Sequence, residues 1–173
     1  MLHCGRLWIV RISVRRLEFD MNDELIKEIF IQIVSSFLGS LGFSLLFNLK
    51  GKRLLWASLG GVFAWSVYLI VDALTHNLFL CGVISAMVAT AYSEIFARIL
   101  KTPKTAFIFP AIVPMVPGGS LYYTMSNFIL GNPETALEYA KKTLWMAIAL
   151  AFGIVVVIIW VKVIKHYKKR KVN

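Results

Sequence analysis

Three stretches of this chain, residues 29–49, 78–91 with a continuation to 100, and 144–161, are long, apolar and almost free of charge. A helix needs about 20 predominantly apolar residues to cross the hydrocarbon of a bilayer. The chain is 58% hydrophobic, only 16% charged and has a mean hydropathy of +0.72. A soluble domain of 173 residues cannot bury that much apolar surface, so the solvent is lipid. The expected fold is all-α: a polytopic membrane protein of four to five transmembrane helices with almost no soluble domain.

Five apolar segments can be drawn. The first runs from Leu25 to Leu49 and ends at the basic Lys50-Gly51-Lys52-Arg53; the second runs from Leu54 to Val71 and closes at Asp72. The third, Leu78 to Leu100, is followed by Lys101-Thr102-Pro103-Lys104, and the fourth covers Ala106 to Leu130. Gly131-Asn132-Pro133-Glu134 then turns the chain into a short polar segment, expected as a separate interfacial helix ending at Lys141-Lys142. The fifth segment spans Thr143 to Val163. Residues 25–164 are thus expected as the membrane domain and residues 165–173 as a basic cytoplasmic tail. Residues 1–24 read as an N-terminal extension, with the acidic Met21-Asn22-Asp23-Glu24 the more natural start.

The net charge of +10 would suggest nucleic acid in a soluble protein, but here the basic residues flank the apolar spans, as topology signals do. No nucleic-acid partner is expected. With the C-terminus inside, Lys50, Lys52, Arg53, Arg98, Lys101 and Lys104 are cytoplasmic, as are Lys162, Lys165, Lys168, Lys169, Arg170 and Lys171. Those twelve stand against Lys27, Lys141 and Lys142 outside, or against seven when Arg6, Arg11, Arg15 and Arg16 are counted. Both counts give an N-terminus outside and a C-terminus in the cytoplasm. The basic tail could also bind anionic lipid, although a topology signal needs no further role. Cys4 and Cys81 are far apart and show no metal spacing; Cys81 reads as a small buried thiol.

The fourth segment carries Phe109-Pro110-Ala111-Ile112-Val113-Pro114-Met115-Val116-Pro117-Gly118-Gly119-Ser120-Leu121-Tyr122. Proline removes a backbone donor and clashes with the carbonyl four residues back. In hydrocarbon such irregular backbone survives only where protein or a watery cavity surrounds it. The helix is therefore expected to break at this Pro/Gly motif. Exposed amides and a half-helix dipole at such a break bind carboxylates in secondary transporters. Candidate substrate-binding residues are Pro114, Pro117, Gly118, Gly119, Ser120, Tyr122, Tyr123 and Asn127, with Thr124 and Ser126 in the same polar run. The competing reading is a proline kink packed against neighbouring helices.

On the third segment Gly82, Ser85, Ala86, Ala89, Thr90, Ser93 and Ala97 form a small-residue face suited to close helix packing. Glu94 lies beside it. An ionisable group inside a span is expensive, which makes Glu94 a candidate coupling residue or an anchor for a substrate amino group. The competing reading is a structural ion pair with Arg98, one turn on in the favourable i,i+4 order; Glu94 and Arg98 are the candidate coupling residues. Asp72, near His76, is expected at the outer surface. Ser36, Ser40 and Ser44, with Gly39 and Gly42, read as a packing seam.

From the Lys-Thr-Pro turn through Val-Pro-Gly-Gly-Ser-Leu-Tyr, the chain resembles the threonine/serine exporter family. It is similar to the small stand-alone subunit that corresponds to the C-terminal membrane half of longer members, over residues 25–164. The resemblance implies efflux of a small amino acid or carboxylate, proton-coupled antiport, and a bacterial inner membrane. It also implies a larger membrane subunit of the same family as partner; a homo-oligomer is left open. The alternative is a non-transporting scaffold or regulatory subunit. An enzyme is not expected, because no His, Cys or Asp accompanies the serines of the fourth segment as a base. No cofactor and no metal is expected either.

Overall fold

A computed structural model describes residues 22–170. The expectations for residues 1–21, including Cys4, the start at Met21 and the four arginines, fall outside the described residues, as does the end of the tail. Among the described residues the fold is all-helical. α1 spans Asn22–Leu46, α2 Lys52–Thr75, α3 Leu78–Ile99, α4 Thr105–Ile112, α5 Gly118–Ile129 and α6 Pro133–Arg170, with a 3-10 turn at Val113–Met115 between α4 and α5. Four helices are individually long and apolar enough to span a membrane; α4 with its 3-10 turn and α5, bent by 54° at their break, pass the same test only together, which gives up to five spans if the bent pair counts as one.

Local chemistry sets the ends. α1 stops where Asn48 and then Gly51 take left-handed backbone angles, and buried Leu49 folds back under the turn. His76 likewise turns left-handed after α2, and the Asn77 side chain caps α3 by accepting from the amides of Phe79 (3.1 Å) and Leu80 (3.4 Å). Gly131, at φ +77°, terminates α5 where a side chain would be strained.

The bundle is held by small residues. A Cβ on Gly153 of α6 would lie 2.6 Å from the Val83 carbonyl of α3, and one on Gly82 would lie 2.9 Å from Ala149. The small face of α3 is therefore the α3–α6 and α2–α3 seam; Cys81, Ser85, Ala86, Ala89, Thr90, Ser93 and Ala97 are all buried on it. On α1, Ser36, Ser40 and Ser44 are buried too, as a packing seam requires. A Cβ on Gly61 of α2 would collide with Ser40 and sit 3.1 Å from the Pro110 carbonyl, while Gly60 approaches Ala111 at 3.3 Å. Three backbones thus converge where no larger residue would fit, and dispersion between them supplies the attraction that lipid cannot.

The fourth span divides its loyalties. Its first half, α4, packs among α1, α2 and α3, whereas α5 packs on α6. One expectation fails. The polar segment after residue 131 is not a separate interfacial helix but the opening of α6, which runs unbroken for 38 residues. Nothing from Ala136 to Thr143 breaks a helix, Glu138 and Lys142 pair at i,i+4 (2.7 Å), and the Thr143 hydroxyl donates to the Tyr139 carbonyl (2.9 Å) across the expected boundary. At 1.5 Å per residue, α6 is about 57 Å long and overshoots a hydrocarbon core of about 30 Å.

Candidate functional site

Three prolines write the break. Pro110 leaves the Ala106 carbonyl without its helical donor, Pro114 does the same to Pro110, and Pro117 to Val113. The Val113 carbonyl accepts instead from Val116 at 3.2 Å, closing the 3-10 turn, and Val116 then extends at φ −62°, ψ 126°. Gly118 donates to Val116 at 2.7 Å, Leu121 donates to Pro117 at 3.1 Å, and α5 begins. Pro117 cannot supply a side-chain cap and the Gly118 amide is already used, so the amides of Gly119 and Ser120 are the first-turn donors that no side chain caps. A Cβ on Gly118 would meet no atom within 4 Å, so this helix start faces open space.

The residues expected at the site are not equally placed. Pro114 is half-buried in the 3-10 turn; Pro117, Gly119 and Ser120 are half-buried and Gly118 is exposed at the break itself. These five cluster. Tyr122 points away, 67% exposed on an apolar face with Leu121, Met125, Phe128 and Ile129. Tyr123 packs its ring against Tyr139 of α6 at 5.3 Å. Asn127 donates to the Tyr123 carbonyl and Thr124 to the Ser120 carbonyl, both at 2.8 Å, so these groups serve their own helix.

Glu94 occupies a second site. Its carboxylate is buried and bound by three cations: Arg98 at 2.5 and 3.0 Å, Lys165 of α6 at 3.2 Å, and Lys104. Arg98 was legible as a partner from its spacing. Lys104 and Lys165 were counted only as topology signals, and no local pattern joins them to Glu94. Lys104 is also the residue before α4, where a positive charge opposes the helix dipole; the carboxylate compensates it. With four charges summing to +2, the cluster is a poor place for a substrate ammonium. It staples the ends of α3, α4 and α6. Ten residues of helix and turn lie between Lys104 and Met115, so the cluster and the break lie roughly 15 Å apart along the fourth span.

At the other end of α3, Cys81 is buried as expected, its thiol 3.7 Å from Asp72 and 3.8 Å from Thr75. Asp72 is half-buried at the α2–α3 junction rather than freely solvated. Among the described residues no group of His, Cys, Asp and Glu is placed to hold a metal ion.

Several apolar helices long enough to span a membrane, with a bent pair broken at a Pro/Gly motif among them, define a polytopic helical membrane protein. Comparison with protein families places it more closely: the family described as Threonine/Serine exporter, ThrE, matches residues 32–160. That range takes in Gln32 of α1, the whole broken span and Glu94, and reaches Trp160 of α6. The chain belongs to the threonine/serine exporter family. No curated protein and no solved structure matches it significantly.

Proposed function

We propose that the chain is a subunit of a secondary exporter that binds the carboxylate of threonine, serine or a small carboxylic acid at the start of α5. The observation that carries this reading is the first turn after Pro117, which no side chain caps and where, among the described residues, nothing lies within 4 Å of a Cβ placed on Gly118. Backbone amides there present partial positive charge, and glycine lets a ligand approach the backbone. Pro114, Pro117, Gly118, Gly119 and Ser120 form this site. Tyr122, Tyr123 and Asn127 would contribute only after a rearrangement of α5.

Coupling to protons, in this proposal, runs through Glu94. Arg98, Lys104 and Lys165 hold Glu94 ionised, so a proton would reach it only once these cations have drawn away, and would then keep them from returning. The ends of α3, α4 and α6 would part, and α4 would carry that movement to the break. The buried carboxylate and its link to the first residue of the broken span support this route.

The proposed setting is a bacterial inner membrane, with the N-terminus outside and the basic C-terminal end in the cytoplasm. A larger membrane subunit of the same family would be the partner, seated on a chain whose α5 has no buried residue of its own. The scaffold reading retains one observation in its favour, the self-bonded Thr124 and Asn127. Threonine export from cells with and without the chain tests the two: a scaffold variant with a blocked break would still support export, an exporter subunit would not.

A further inference from the structure

One carboxylate gathers more cations than it can neutralise. Glu94 is bound by Arg98 of α3, Lys104 at the start of α4 and Lys165 of α6, which leaves the group a surplus charge of +2. A pair that only joined two helix ends needs one cation, and each further cation is repelled by the first. A topology signal needs no convergence at all, since basic residues anywhere in the flanking turns serve it. The surplus is a built-in preference for a further anion.

The three cations also have donors to give it. Arg98 spends Nε and Nη2 on Glu94 Oε1, at 3.0 and 2.5 Å, and the Nη1 donors of its fork lie outside these bonds. Lys165 gives one of its three N–H groups to the same oxygen at 3.2 Å, and Lys104 pairs with Oε2. The cationic side chains are each about half-exposed over a buried carboxylate, so their remaining donors face outward. They stand where the apolar length of α3 gives way to a basic turn, the level at which headgroups meet a spanning helix. Toward the middle of the spans the neighbouring surface is apolar. Ile95, 55% exposed, lies one turn before Arg98 on α3, and Ile158 lies two turns before Lys165 on the same face of α6.

A phosphodiester carries one negative charge, and its oxygens match the guanidinium fork. Esterified to acyl chains, it would set its charge at the cations and its chains along the isoleucines. We propose that Arg98, Lys104 and Lys165 form a binding site for the phosphate of an anionic phospholipid, with Ile95 and Ile158 flanking its chains. Basic pockets between spanning helices are a recurrent form of headgroup site. A choline headgroup brings its own cation, which the surplus charge repels, so the site selects anionic lipid. Glu94 and the phosphate compete for the same three cations. The grip of α3 on α4 and α6 therefore depends on the surrounding lipid.

The test is thermal unfolding of the purified full chain in detergent micelles titrated with phosphatidylglycerol, phosphatidylcholine or inorganic phosphate. Phosphatidylglycerol should raise the midpoint by roughly 3 °C, and the other two should not. Arg98→Gln and Lys165→Gln should each raise the half-saturating phosphatidylglycerol concentration about fivefold. Glu94→Gln removes the competing anion and should lower it. Lys52 is the control. It opens α2 at the same end of the bundle, beside the turn whose Leu49 packs with Ala97 and Ala106, but it makes no ion pair with Glu94. Lys52→Gln should leave the half-saturating concentration close to wild type. An equal shift with phosphatidylcholine or with inorganic phosphate overturns the lipid site. So does a loss in Lys52→Gln as large as in Arg98→Gln and Lys165→Gln, which would mean diffuse attraction. A half-saturating concentration that Glu94→Gln leaves unchanged contradicts the competition.

Discussion

The Glu94 carboxylate, buried near the end of α3, grips the ammonium of Lys104, the residue from which the broken span starts. A charge at one end of the fourth span is thereby tied to the helix that carries the break at its other end.

Replacing Glu94 with Gln keeps the shape and removes the charge. Arg98, Lys104 and Lys165 are each about half-exposed, so once released they can reach water, and the cost to stability is modest, about 1 kcal/mol. The variant should accumulate in the membrane at wild-type levels while threonine export stops responding to an imposed pH gradient. An undiminished response would leave Glu94 as a staple alone.

Gly61→Ala should destabilise the protein by about 1–3 kcal/mol, because its methyl group collides with Ser40. Ser40→Gly removes the obstructing side chain. Thermal unfolding in detergent should therefore show the double variant to be more stable than Gly61→Ala alone, despite the added glycine. Simple additivity of the two losses would contradict the close approach. Gly42→Ala, where a methyl group meets nothing within 4 Å, should be neutral or slightly stabilising.

These two sites show what the sequence could and could not yield. The spans follow from apolar length, and the break follows from three prolines whose missing donors act locally. The small faces of α1 and α3 are legible because their spacing matches the helical period. The partners of Glu94 are not. Lys104 sits ten residues away and Lys165 seventy-one, and only the packing of α6 on α3 brings the second one in. The fusion of the polar segment into α6 was missed for another reason: a change of polarity was read as a change of element, although no residue there ends a helix.

Orientation is testable directly. A reporter active only outside the membrane should be active when inserted within 132–140, the start of α6, and silent when fused after the basic C-terminal end. Activity on the cytoplasmic side within 132–140 would overturn the five-span arrangement and move the start of α5 toward the opposite face.

The central claim is that the start of α5 receives the substrate, and Gly118→Val tests it most directly. The side chain it adds enters space that no described residue occupies, so packing among them gives no reason for the fold to suffer. Membrane level and thermal stability should match wild type while threonine efflux falls to background; Gly119→Val should likewise lose efflux. Normal threonine efflux by Gly118→Val, at normal membrane level, would contradict the account and reduce the Pro/Gly motif to a kink.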